Sequence, residues 1–276
     1  MKILGNIIPF FISQLDNYTS REIKSLAYIS IEKILGFNKS DCIIKNDYRL
    51  NKKEIQFFID VVSDLKKNIP IQYVLKEAYF YNLRFRVDNS TLIPRNETEE
   101  LVRWVLESNF DSLLDIGTGS GCISISIAKN SLADIYALDS SKRALEVAKF
   151  NANYHNVKVN FICEDIFQYI SNKKYDVIVS NPPYVLESEK AYMAKNVIDY
   201  EPHSALFVSD EDPLKFYTKI VSFSSNFLKK NGLLFLEINE KNGKKIKSLL
   251  SKNNFVDIEL KKDINGRDRM IKSVLK

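Results

Sequence analysis

Residues 113–124, LLDIGTGSGCIS, constrain the fold of this 276-residue chain more than any other stretch. Apolar residues around Asp115 lead into glycines at alternate positions, Gly117, Gly119 and Gly121, and a second apolar run follows. The pattern reads as a strand, a sharp turn and a helix. Glycine permits such a turn and lets a ligand approach the backbone closely. The following helix turns free N–H groups and the positive end of its dipole toward an anionic group. A nicotinamide fingerprint needs glycine at the third residue after Gly119, where Cys122 stands. The spacing is D-x-G-x-G-x-G instead.

The loop sits in a strand–helix alternation. SLLDI, DIYAL, VNFI, YDVIVS and LLFLEI are short apolar strand candidates, and helical segments such as 142–153 and 214–229 separate several of them. That rhythm predicts a mostly parallel α/β sheet covered by helices, with ligands at the carboxyl ends of its strands. The first seventy residues differ. In TSREIKSLAYISIEKILG, Thr19 and Glu22 have capping-box spacing, Ile23, Leu26, Ala27, Ile31, Ile34 and Leu35 recur with helical period, and Gly36 is a stop. NKKEIQFFIDVVSDLKK repeats the pattern, with Asn51 as cap and Ile55, Phe58, Ile59, Val62 and Leu65 on one face. Between the two textures, YFYNLRFRV alternates and predicts a hairpin. The expected organisation is a helical partner-recognition domain over 1–72, a β-hairpin linker over 73–93 and a catalytic domain over 94–276.

Composition excludes several classes. With 45% hydrophobic and 27% charged residues, the chain is not of a disordered type. Three cysteines without a C-x-x-C pair, and two distant histidines, support neither a disulfide scaffold nor a metal site, and fit a reducing cytoplasm. Asn6 and Pro9 interrupt the apolar N-terminus, and no run reaches the roughly 20 apolar residues that span a bilayer, so no membrane partner is expected. The net charge of +5 permits an anionic partner without demanding one.

One further feature bears on chemistry. The strand YDVIVS runs into Asn181, Pro182, Pro183 and Tyr184. Two prolines cannot extend a ladder, so they either end the strand or hold a rigid acceptor site. The glycine loop resembles motif I of class I S-adenosylmethionine-dependent methyltransferases. Together with N-P-P-Y after the fourth strand, it resembles those that modify planar amide or amine nitrogens. That resemblance implies a Rossmann-like, mostly parallel seven-stranded sheet and S-adenosylmethionine as cofactor. Asp139, ending DIYAL-D, then suits the ribose hydroxyls, although it could equally cap the helix beginning near Lys142. Ile166 falls where the fold meets adenine, with Asp165 beside it as a cap.

Three flanking segments narrow the resemblance: IPRNETEELV at 93–102, EPHSALFVSDEDPLKFY at 201–217 and NGRDRM at 265–270. With PIQYVLKEAYFYNLRFRV, they are similar to the peptide chain release factor glutamine methyltransferases. The resemblance implies methylation of the glutamine side-chain amide in the Gly-Gly-Gln tip of release factors. No exposed apolar stripe stands out, so a monomer is expected, and the helical, only moderately basic N-terminal module predicts no stable nucleic acid partner. The resemblance assigns cofactor contacts to Gly117, Thr118, Gly119, Ser120, Gly121, Asp139, Ile166 and Asn181. It assigns the glutamine to Asn181, Pro182, Pro183 and Tyr184, with Asn181, Pro182 and Tyr184 catalytic: the Asn181 oxygen and Pro182 carbonyl accept the two N–H groups, and Tyr184 offers a flat face. Two departures stand out, Lys76 in place of the family's usual glycine after QYVL, and Ile166 in place of an aromatic. Three alternatives remain at this stage: a ribosomal-protein glutamine methyltransferase, an adenine-amine methyltransferase acting on nucleic acid, and a binding protein that keeps the cofactor without transfer.

Overall fold

Capping chemistry and helical period build the first part of the chain in a computed structural model, which describes residues 2–276. Lys76 and the residues before it, with Lys195–Tyr200, form one compact unit; Glu77–Ala194 and Glu201–Lys276 form the other. The first unit holds α1 (Ile7–Gln14), α2 (Ser20–Leu35), α3 (Lys39–Ile44), α4 (Lys52–Lys66) and α5 (Ile71–Leu75), together with α9 (Lys195–Tyr200). The Thr19 side chain accepts the Glu22 N–H while Glu22 reaches back to the Thr19 N–H, and α2 stops at Gly36 with φ 70°. Asn51 and Glu54 form the same reciprocal cap on α4, each cap contributing about 1 kcal/mol. Ile23, Ala27 and Ile31 of α2 pack with Phe11 of α1 and with Phe58, Val62 and Leu65 of α4. Ile34 and Ile59, expected on those faces, are exposed, because the buried stripes, Ile23, Ala27 and Ile31 on α2 and Phe58, Val61, Val62 and Leu65 on α4, leave them at their edges.

The second unit begins with the hairpin of β1 (Ala78–Phe80) and β2 (Leu83–Phe85), paired from Ala78↔Phe85 to Phe80↔Leu83. Tyr81 and Asn82 join them with φ 50° and 59°, the two-residue turn whose twist matches that of the strands. There follow α6 (Asn96–Leu106), β3 (Ser112–Ile116), α7 (Cys122–Asn130), β4 (Asp134–Asp139), α8 (Lys142–Tyr154), β5 (Asn160–Cys163), β6 (Tyr175–Ser180) and β7 (Val185–Leu186). The chain continues through α10 (His203–Leu206), β8 (Phe207–Val208), α11 (Lys215–Phe227), β9 (Leu228–Glu237), α12 (Gly243–Lys252), β10 (Phe255–Lys262) and β11 (Asp268–Leu275).

Seven of these strands make one sheet in the order β10-β11-β9-β6-β3-β4-β5. β5, β4, β3, β6 and β9 run parallel, while β11 and β10 close the edge antiparallel. Successive residues of the central strands enter different cores, as side-chain alternation requires. Leu114, Ile116, Ile178, Leu234 and Leu236 join one cluster; Leu113, Val177, Val179 and Phe235 join the other. β4 and β5 extend from one side of β3, and β6 from the opposite side. Strand order therefore reverses between β3 and β6, and a crevice opens at their carboxyl ends. Ile116 pairs with Ser180, and Ser180 with Leu236, so the glycine loop, the N-P-P-Y segment and the end of β9 leave the sheet at one level. Among the described residues no helix is long and apolar enough to cross a membrane, and no group of metal-ligating side chains converges.

Candidate active site

The glycine loop folds back on β4: the Gly117 and Thr118 N–H groups donate to the Leu138 carbonyl at 2.8 and 3.1 Å. Its glycines adopt φ of 76°, 56° and 82°. A Cβ added at Gly117 or Gly119 would meet no heavy atom within 4 Å, because both face a cavity. At Gly121 it would come within 2.7 Å of Ile125 Cδ1 and 3.2 Å of Ala148 Cβ, so this glycine lets α7 and α8 approach. Beneath the loop, Asp115 is fully buried. Its Oδ2 accepts the Thr118 hydroxyl at 2.7 Å and the Ser124 N–H at 3.2 Å, while Oδ1 has no partner among the described residues. Burial pushes this carboxyl up to about 7 despite those two donors.

Asp139 ends β4 and faces the loop. Its Oδ2 accepts the Gly119 N–H and its Oδ1 the Ser141 N–H, both at 2.8 Å. Burial raises its pKa and the two N–H groups oppose the rise. Ser141 caps α8, accepting the Ala144 N–H at 3.1 Å, so Asp139 does not cap that helix through its side chain.

A cavity of about 360 Å³ lies in the crevice. Of the residues singled out in the sequence, Gly117, Gly119, Asp139, Ile166, Asn181, Pro182 and Pro183 line it. Thr118, Ser120, Gly121 and Tyr184 lie outside the lining; Thr118 and Ser120 are buried within the turn. Ile116, Leu138 and Ile166 supply apolar wall, and the bare backbone of Gly117 and Gly119 leaves room at the loop. A carboxylate oxygen offers two acceptor positions. Each oxygen of Asp139 thus keeps one for a ribose diol, and this acceptor pair with the apolar wall fits S-adenosylmethionine.

Across the cavity, Ser180 Oγ ties β6 to β3 by donating to the Ile116 carbonyl at 2.7 Å. The next residue, Asn181, donates from Nδ2 to Thr98 Oγ1 at 3.3 Å, and Thr98 donates in turn to Glu237 Oε2 at 2.6 Å. Tyr184 donates its hydroxyl to Glu237 Oε1 at 2.9 Å, while Arg269 Nη1 lies 3.5 Å from that hydroxyl. Burial raises the pKa of Glu237, opposed by the Thr98 and Tyr184 hydroxyls and by Arg269. Burial, and then the charge of Glu237, drives the Tyr184 phenol well above its ordinary value. Sequence reasoning missed Thr98, Glu237 and Arg269 as parts of the site. The usable signal was Glu237 itself, an acid closing an otherwise apolar strand as Asp139 does.

The three flanking segments meet around this point. Glu201 accepts the Ile93 N–H at 3.0 Å and pairs with Arg95 at 2.7 Å. Glu100 accepts the Ile264 N–H at 2.8 Å, and Glu97 accepts from Asn265 Nδ2 at 3.2 Å. Arg269 is held by Asp263 at 3.0 Å. Residues far apart in sequence therefore brace one another beside the tetrapeptide.

Comparison with known proteins gives three findings. The methyltransferase small domain family matches residues 96–205. Over 264 residues the chain is 45% identical to the release factor glutamine methyltransferase of Flavobacterium psychrophilum, covering 92% of this chain and 93% of that protein. The corresponding protein of Bacteroides thetaiotaomicron is 41% identical over 261 residues, covering 93% and 94%. Among solved structures, a methyltransferase from Pyrococcus furiosus is similar with a TM-score of 0.52 at 18% identity, over 69% of this chain and 87% of its own. At that identity the likeness concerns the fold alone.

Proposed function

This chain belongs to the release factor glutamine methyltransferase family, and from that premise we propose how its site acts. The protein transfers a methyl group from S-adenosylmethionine to the side-chain amide nitrogen of a glutamine in peptide chain release factors. We assign that glutamine to the Gly-Gly-Gln tip, and the reaction to the cytoplasm. One observation carries the reading: the Gly117–Gly119 backbone and the Asn181–Pro182 pair line a single cavity at the ends of adjacent parallel strands.

S-adenosylmethionine, when bound, supplies a methyl group on a positively charged sulfur. Asp139 would accept the ribose hydroxyls on its remaining lone pairs, Ile166 would pack on the adenine, and the glycine backbone would leave space for the amino-acid end. The substrate amide poses the harder problem, because its nitrogen lone pair is delocalised into a carbonyl. Asn181 Oδ1 and the Pro182 carbonyl accept its two N–H groups, which orients the nitrogen toward the cavity and favours loss of conjugation. Among the described residues, Asn181 Oδ1 takes no other hydrogen bond. Pro182 and Pro183 fix the backbone and bring no competing N–H. Tyr184, outside the cavity wall, anchors the segment through its hydroxyl. No strong base is required, since the nitrogen loses its proton readily once methylated. We assign the helical unit to holding the release factor.

The test is transfer of labelled methyl from S-adenosylmethionine to a panel: a release factor, its tip Gln→Ala variant, ribosomal proteins and unmethylated DNA. Label is expected on the wild-type release factor alone. Label on DNA, or equal label on the Ala variant, would contradict the reading.

A further inference from the structure

We infer that Thr98 and Glu237 are positioning residues that decide which end of the Asn181 carboxamide faces the substrate. The inference rests on the function proposed above and concerns a step upstream of it. An asparagine side chain has an acceptor end and a donor end of nearly the same shape. The glutamine amide presents donors, so the clamp works only with Oδ1 outward; with Nδ2 outward, donor would face donor. Nothing in Asn181 itself selects between these two orientations.

The selection comes from a chain of hydrogen bonds behind it. A threonine hydroxyl has one proton, and Thr98 commits it to Glu237 Oε2 at 2.6 Å. Its oxygen can then only accept toward Asn181, and it receives Nδ2 at 3.3 Å. A flipped carboxamide would set Oδ1 against the Thr98 oxygen with no proton between them, in a place where Thr98 is 2% exposed. Oδ1 is therefore held outward. What commits the Thr98 proton is the acceptor character of Glu237, a fully buried side chain that also accepts the Tyr184 hydroxyl on Oε1 at 2.9 Å. Arg269 lies against that hydroxyl and is itself held by Asp263. Two hydroxyl donors and a nearby guanidinium favour the carboxylate form, which offers lone pairs only, against the burial that raises the Glu237 pKa. One carboxylate thus holds both ends of the tetrapeptide, Asn181 through Thr98 and Tyr184 directly.

The geometry distinguishes three substitutions. Thr98→Ser keeps the hydroxyl. Thr98→Val keeps the shape and removes it, freeing the carboxamide to flip. Glu237→Gln also keeps the shape but converts one oxygen into a donor, so either Thr98 or Tyr184 must turn its proton away. Single-turnover transfer to the release factor at saturating S-adenosylmethionine, with the cofactor dissociation constant and circular dichroism, reads the outcome. Expected are a rate within about threefold of wild type for Thr98→Ser, and rates lower by about tenfold or more for Thr98→Val and Glu237→Gln. Cofactor affinity should stay within about threefold throughout. If Thr98→Val does not fold, the shape-preserving Glu237→Gln decides alone. Wild-type rates in Thr98→Val or Glu237→Gln, a Thr98→Ser enzyme as slow as Thr98→Val, or cofactor affinity lost in step with rate would overturn the assignment. An inactive wild-type enzyme would overturn the proposed function and this inference together. An active wild type with unaffected variants would overturn this inference only.

Discussion

Asp139 uses one acceptor position of each oxygen on the backbone, at Gly119 and Ser141. Two positions remain, and a ribose diol has two hydroxyls to donate. Removing the carboxylate should therefore weaken cofactor binding and also release the Gly119 N–H that shapes the loop. For Asp139→Ala the dissociation constant for S-adenosylmethionine, measured by calorimetry, is expected to rise about tenfold or more; an unchanged constant would refute the ribose role. Asn181→Ala should behave in the opposite way, with transfer falling by about two orders of magnitude and cofactor affinity by less than about tenfold. Asp139 and Asn181 were legible in the sequence because one is a polar residue that ends a short apolar strand and the other a polar residue that follows one. Thr98 and Glu237 were not, because they meet across 139 residues. Thr98 reads locally as an ordinary first-turn helix residue, and only the closed sheet gives it a partner.

At the scale of elements, two of the strands that carry the site were legible to the residue, whereas β9 begins at Leu228, inside the expected helix and ahead of the expected LLFLEI. SLLDI and YDVIVS coincide with β3 and β6, since a strand buried on both faces is a short, mostly apolar run. The antiparallel edge of β10 and β11 was not. Asp257 has φ 49° and the pairing register shifts between Val256 and Glu259, so the two-residue alternation that announces a strand is broken there. The departure at Lys76 has a clear structural consequence. It caps α5 in the left-handed conformation, with φ 54° and ψ 34°, which costs a residue with a Cβ about 1–2 kcal/mol. The helix end keeps the geometry that suits glycine and carries the strain instead. Lys76→Gly is expected to stabilise the protein by about 0.5–1 kcal/mol, after the greater freedom of glycine in the unfolded chain is counted. A rise in the thermal midpoint of a few degrees checks this, and a fall would mean that the Lys76 side chain contributes contacts that outweigh the strain.

For the whole molecule, sheet order does the organising. Because strand order reverses between β3 and β6, the cofactor loop and the N-P-P-Y segment leave adjacent strands at one level and face each other across one cavity. That arrangement would serve any planar –NH₂ group, whether on a base or on a glutamine. The choice of glutamine rests on the likeness to release factor glutamine methyltransferases, and the segments that carry it gather beside the site, Ile93 and Arg95 with Glu201, and Glu97 and Glu100 with Asn265 and Ile264. Those segments are distant in sequence, which is why they could be matched to a family by resemblance yet not placed together without the fold. The chemistry comes down to one methyl group, placed on one amide nitrogen. Peptide mapping by mass spectrometry of a release factor incubated with the protein and S-adenosylmethionine tests it most directly. A single methyl on the side-chain nitrogen of the tip glutamine is the predicted result; a methyl on a lysine, a carboxylate or any other glutamine would contradict the account.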